Sequence, residues 1–300
     1  MRAHYRAIDF PFTVETDIPG AFEAVDRLFA PFRDSGSGGR RRTYRLGTSR
    51  AEPDLFELLV DGGSVQRPPS AGSMLEWVIT NVTIEAVTGT ADLVCVHASA
   101  AALDGRAIVL PAPSGHGKST TVAGLVCAGW DLLTDEAALF DLRDDLLHPF
   151  LRPLALSDTS MAALPGLAGS LPASYELFRR IDHHLTADDL RPGAIGSPAH
   201  VAFVVFPSHA PGCTTELVPL ARSEALMEML KGTFNLERVG GKGVETLGRV
   251  VGSADCYRLH IGALEPAVEL IRELFERDGR ARRSQANAGI GAMVPSGLTR

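Results

Sequence analysis

Lysine is scarce: of 29 basic residues only Lys118, Lys231 and Lys242 are lysine, and the rest are arginine. Such a skew follows genome composition, so each lysine is read for a role that needs a compact ammonium rather than a planar fork. Positive charge is also in deficit, since 36 acidic residues against 29 basic ones leave a formal charge of −7. That balance argues against a duplex nucleic-acid binder held by clustered Lys and Arg on phosphates. Long apolar runs are missing too. No stretch offers the roughly 18 consecutive apolar residues of a membrane span, and within the uncharged stretch 193–215 only Val201–Phe206 is continuously apolar. The N-terminal run carries Asp9 and Pro11 where a signal peptide needs an apolar segment, so the expected location is the cytoplasm, with no membrane partner. Cys95, Cys127, Cys213 and Cys256 are scattered with no CxxC pair, which argues for structural thiols rather than a disulfide framework or zinc site. What remains, 45% apolar and 22% charged residues over 300 positions, is the composition of a globular chain with a sizeable core.

Along the chain, the first 90 residues read as a β-rich N-terminal module. Asp9–Glu15 alternates, Ala21–Phe29 has helical spacing, and Thr43–Leu46 and Leu55–Val60 look like strands. Asp34–Gly39 and the arginines at 40–42 read as a solvated flexible loop, and helical periodicity returns from Met74 to about Ala86. Residues 91–278 form the expected second domain. Leu93–Leu103 and Arg106–Leu110 are strands joined by Asp104-Gly105, a strong hairpin signal. A loop over Pro111–Gly117 leads to a helix over Ser119–Ala128, with Gly129 where a left-handed cap belongs. Trp130–Thr134, Ala138–Leu142 and Val201–Phe206 read as strands, and Ser223–Leu230 and Glu265–Glu276 as amphipathic helices. Residues 279–300 lack any period and are expected to be a disordered tail.

The sharpest signal is Ala112-Pro113-Ser114-Gly115-His116-Gly117-Lys118-Ser119. It fits the P-loop spacing G-x-x-x-x-G-K-[ST] at every fixed position but the first, where alanine replaces glycine. Successive backbone N–H groups over such a loop form an anion nest, and the dipole of the helix that follows adds to it. Lys118 supplies a point charge for β- and γ-phosphates, and the Ser119 hydroxyl suits Mg²⁺. Residues 112–120, through Thr120, are therefore the expected ATP-binding segment. Asp135-Glu136 follow Lys118 by only 17 and 18 residues. A helix and one short strand fill that gap, which predicts a parallel strand beside the P-loop strand that ends on the same side. Both carboxylates then lie near the γ-phosphate, one to hold Mg²⁺ and the other to take a proton from an attacking hydroxyl. A hydrophobic-Asp-Glu of a mechanical or transport ATPase is the competing reading, and the short spacing argues against it.

His97-Ala-Ser, the loop ending Gly117-Lys118-Ser119, and Asp135-Glu136 together resemble the catalytic domain of HPr kinase/phosphorylase and its relatives, strongly over about 40 residues. The resemblance implies an α/β P-loop kinase core of the phosphoenolpyruvate-carboxykinase/HPr-kinase type beside the small N-terminal module. It implies Mg²⁺-ATP-dependent transfer to a serine hydroxyl, with Ser119 and Asp135 as metal ligands and catalytic roles for His97, Lys118, Asp135 and Glu136. In that family the second acid is the proton acceptor, which falls on Glu136. The family pair is usually Asp-Asp, so the choice of base between Asp135 and Glu136 stays open. The first 90 residues do not resemble the bacterial enzyme, and the expected acceptor is a serine of another protein or peptide. A homo-oligomer is compatible with the resemblance. A kinase of a small hydroxylated metabolite and a non-catalytic nucleotide-binding regulator are the other readings.

The remaining candidates are weaker. Arg152 reads as a structural salt-bridge partner before a phosphate contact. Asp182-His183-His184 lacks a third ligand fixed by spacing and is not read as a metal site. Lys231 and Lys242 stand outside any motif.

Overall fold

Alternating strands open the chain as a hairpin, β1 (Arg2–Ala7) and β2 (Phe10–Thr16), which buries Tyr5, Phe12 and Val14 on one face. Helix α1 (Ala21–Leu28) lies on that face, and β3 (Arg42–Thr48), β4 (Phe56–Val60) and β5 (Gly63–Gln66) complete a five-stranded sheet in sequence order. Helix α2 (Ala71–Gly89) is longer than its apolar period predicts, because Ser70 caps its start by accepting from the Ser73 N–H. The computed structural model describes residues 1–36, 39–49, 52, 55–164, 166–167 and 182–291. Residues 37 and 38 of the expected basic loop thus lie outside the described residues.

The second region is built on a mixed eight-stranded sheet. Strand β6 (Leu93–Leu103) turns at Asp104-Gly105 into β7 (Arg106–Pro111), as the hairpin signal predicts. Helix α3 (Lys118–Cys127) follows, then β8 (Asp131–Thr134), β9 (Ala137–Asp141) and β10 (Leu147–His148). A small side sheet joins β11 (Leu154–Ser157) to β12 (Asp182–Leu185), accompanied by the short helices α4 (Asp158–Ala162) and α5 (Ala187–Leu190). Strands β13 (His200–His209) and β14 (Glu216–Pro219) precede helices α6 (Arg222–Lys231) and α7 (Leu236–Ser253). Strand β15 (Asp255–Ile261) and helix α8 (Leu264–Gly291) end the fold.

The central strands read as unbroken apolar runs because both faces are covered. Along β7, Ile108 and Leu110 pack with α3 and α8, whereas Ala107 and Val109 pack with α6 and α7. The strand order is β10-β9-β6-β7-β13-β15-β14, with β8 also on β6. Two expectations are corrected here. The strand after α3 does not lie beside β7, since the tight hairpin has already placed β6 there. Strand β8 pairs antiparallel with β6 at Ala100, Ala101 and Ala102 instead. Because β6 is antiparallel to both neighbours, β7 and β8 still run the same way and end on the same side. The other correction concerns the tail: α8 continues as helix to Gly291, through a stretch rich in arginine and alanine, both good helix formers. Residues 292–300 lie outside the described residues.

The core is continuous across position 90. Cys95, Ala137, Leu139 and Phe150 belong to one buried cluster with Tyr5, Phe12, Leu75 and Val78 of the N-terminal module. The rings of Phe32 and Phe150 pack in a tilted pair at 5.4 Å, and Arg27 pairs with Asp189. Among the described residues no helix is long and apolar enough to cross a membrane.

Candidate functional site

The loop at the end of β7 takes the shape its glycines allow. Gly115 and Gly117 adopt φ of 84° and 92°, left-handed values that a side chain resists. Gly117 caps α3 without any side-chain bond, so the first amides of α3 stay available. A Cβ at Gly117 would sit 3.4 Å from His209 Cβ and 3.6 Å from Ile261 Cδ1, at the carboxyl ends of β13 and β15. Lys118 is 5% exposed, and its Nζ donates to the Pro113 carbonyl at 3.1 Å, folding the ammonium back over the loop. Burial pulls that ammonium below its ordinary value, while Glu136 and Asp135 pull the other way. Beside it, the Thr121 hydroxyl is buried with no partner. Orphaned amides, an orphaned hydroxyl and a buried ammonium around one loop are what an anion would satisfy.

The acid pair sits in the break between β8 and β9, two stretches of one ladder along β6. Ala100 faces Thr134 and His97 faces Ala137, and the two acids bend out between them. The Thr134 hydroxyl holds the bend by accepting from the Ala137 N–H at 3.3 Å. Asp135 is 1% exposed and accepts from the Ser99 hydroxyl at 2.9 Å, with the Ser119 hydroxyl close enough to favour its charged form. Burial pushes its carboxyl up to about 6, against the opposing pull of Arg152, Ser119 and Ser99. Glu136 is more open. Burial raises it, but its bond to His97 together with Arg152 and Lys118 outweighs that and holds it below the usual carboxylate range. His97 Nε2 lies 3.3 Å from Glu136 Oε1, and Arg152 Nη1 lies 3.6 Å from Oε2.

His97, Lys118, Ser119, Asp135 and Glu136 thus meet in one place, and residues 112–120 wrap its floor. Thr120 faces away from it, its hydroxyl 2.7 Å from that of Ser160. His116 and His97 line an open cleft of about 500 Å³ on the α6 side of the loop, together with Pro113, Phe206, Lys231 and Arg258. Three side chains were not marked as site residues by their sequence. Ser99 lies within the His97-Ala-Ser run, where no spacing marks a role for its hydroxyl. Arg152 is the salt-bridge partner its reading suggests, but its partner is Glu136 itself; a parallel bridge between Thr134 and Phe150 brings it there. Phe234, whose ring lies 5.6 Å from that of His97, carried no signal at all.

No family model matches the chain, and no curated protein matches it. Among solved structures, the HPr(Ser) kinase/phosphatase from Coxiella burnetii is similar at 9% identity and a TM-score of 0.33, over 63% of this chain and 98% of that one. A likeness of that size carries no functional argument, and the chemistry is read from the site alone.

The other clusters do not line that cleft. His183 bonds Asp158 at 2.7 Å. His184 lies buried with its Nδ1 unpartnered, its imidazole lowered to about 4 by burial and by Arg152. The donors Asp141, Asp144 and His148 gather at the far end of β9, where the Arg143 guanidinium already bonds both Asp141 oxygens.

Proposed function

We propose that the chain is a Mg²⁺-ATP-dependent kinase that transfers the γ-phosphoryl group to a serine hydroxyl of a protein or peptide. The observation that carries this reading is the placement of the Ser119 hydroxyl close enough to the buried Asp135 to favour its charged form, at the foot of a glycine-shaped anion nest, with Glu136 beside it. Ser119 and Asp135 offer hard oxygen donors of the kind Mg²⁺ takes, and the ion would neutralise charge on the β- and γ-phosphates. Loop amides and Lys118 hold the triphosphate and stabilise charge on the group in transfer. Glu136 takes the proton of the serine hydroxyl while the serine oxygen bonds to the γ-phosphorus and the bond to the departing ADP oxygen breaks. The assignment of the base to Glu136 rests on access. Asp135 has the higher affinity for a proton, yet it is sealed between Ser119 and Ser99, whereas Glu136 opens toward the cleft through His97. His97 and Arg152 grip the two oxygens of Glu136 and orient it.

Removing the Lys118 ammonium (Lys118→Ala) should lower turnover by on the order of a thousandfold, as expected for the loss of a preorganised charge. Glu136→Gln should retain nucleotide binding and lose transfer, and Asp135→Asn should weaken the dependence on Mg²⁺. If Asp135→Asn stops transfer while leaving the metal dependence intact, the base is Asp135. Labelled phosphate appearing on free serine or a sugar but never on a peptide would make the acceptor a small metabolite. Tight ATP binding with no acceptor-dependent ADP release would leave a nucleotide-binding regulator.

A further inference from the structure

Resting on that reading, we infer that the cleft beside the phosphate loop receives the acceptor as an extended serine peptide with an acidic residue close to the serine, and that Lys231 and Arg258 read its carboxylate. The position of the cleft comes first. Lys118 is the group that reaches β- and γ-phosphates, and its Nζ rests on the carbonyl of Pro113, a residue of the cleft wall. His97, 3.3 Å from Glu136, lines the same cleft. The cleft therefore abuts both the terminal-phosphate end of the nest and the proton acceptor, which is where an incoming hydroxyl must arrive.

The lining then narrows the chemistry. Pro113, Phe206 and Pro207 make an apolar wall, and the half-exposed Phe234 continues it beyond His97. An open apolar wall suits the length of an extended chain. Charge is set against that wall. In a chain of net charge −7 with three lysines, one lysine and one arginine line this cleft, against the single acid Glu228. Lys231 is held by Glu228 at 2.8 Å, and Arg258 by Glu224 at 2.7 Å. Lys231 and Glu224 are mostly solvent-exposed and Arg258 and Glu228 partly so, and such pairs are weak enough for a ligand carboxylate to exchange into them. Lysine at 231, outside the arginine habit of this chain, is one of the two lysines that stand outside any motif. In the transfer itself the serine oxygen forms the new bond to the γ-phosphorus, the bond from that phosphorus to the bridging oxygen breaks, ADP leaves with the electron pair, and the serine proton passes to Glu136.

The test uses labelled ATP and matched serine peptides that carry Asp, Asn or Lys within three residues of the serine. The wild-type chain should show a KM for the Asp peptides about tenfold below that for the Asn peptides, with kcat changed far less, the signature of a contact made in binding. The double variant Lys231→Glu/Arg258→Glu should lose that preference or turn it toward the Lys peptides, with KM for ATP unmoved. Lys231→Gln alone, a surface change, should halve the logarithmic preference and covers the case in which the double variant fails to fold. Equal KM for Asp and Asn peptides overturns the inference and leaves the kinase reading standing. No transfer to any serine peptide, with ATP still bound, overturns both, as does transfer to a free hydroxy acid alone.

Discussion

Asp135 carries a cost that its neighbours only partly offset. Its carboxyl, ordinarily at 3.8, is raised to about 6 in the folded chain, chiefly by burial. The folded protein thus holds a proton over this window that the unfolded chain releases. The associated stability is complete below about pH 4 and is lost as pH rises through about 6. Asp135→Asn keeps the shape and the bond from Ser99 while removing the buried charge. It should therefore stabilise the metal-free protein by on the order of 2 kcal/mol above pH 7, and by nothing near pH 4. Melting temperatures of the two proteins across that range decide it: an offset independent of pH would show that ionisation is not the cause. At this scale the site was half legible. Lys118, Ser119 and the two acids fall within one short span around a motif, so spacing alone predicts their meeting. Arg152 arrives by a bridge between Thr134 and Phe150 that has no counterpart in any local pattern.

Among elements, those with strong local chemistry were readable and those shaped by tertiary contacts were not. The pair β6 and β7 shows its turn in Asp104-Gly105 and its burial in unbroken apolar runs. Helix α7 hides its period behind five glycines and bends at Gly240, yet buries Val239, Leu247, Val250 and Val251. The position of β8 is not legible in its own residues, because nothing in them records that β6 already occupies the edge beside β7. Strand β15 depends on a close approach at its end. A Cβ on Gly262 would lie 1.9 Å from the Cys213 carbonyl oxygen, and the Thr215 hydroxyl accepts from the Gly262 N–H at 3.0 Å. Backbone must move to admit a methyl group there, so Gly262→Ala should cost about 3 kcal/mol of stability in urea unfolding, at the upper end for overpacking. An unchanged midpoint would mean that the loop over 210–215 yields freely.

For the molecule as a whole, the change of pattern near residue 90 suggested two modules, and the packing binds them into one. Phe32 on Phe150, Arg27 with Asp189, and a shared buried cluster all cross that boundary. Trp77 lies in α2 of the first module, and Trp130 is buried against Phe275 at 4.4 Å in the second. Variants keeping a single tryptophan, Trp77→Phe and Trp130→Phe, should each show one sharp denaturation whose signal from fluorescence coincides with that from circular dichroism. Separate fluorescence and dichroism midpoints in either variant would mean that the modules come apart independently. The ladder that carries the acids has a further consequence. Because Asp135 and Glu136 interrupt a strand fastened on both sides of the break, they form a fixed anvil, and whatever tightens around a bound triphosphate must travel from the opposite wall. Deuterium uptake followed with and without nucleotide should then slow over 112–121 and 230–235, while the amides of 131–141 remain equally reluctant to exchange in both states.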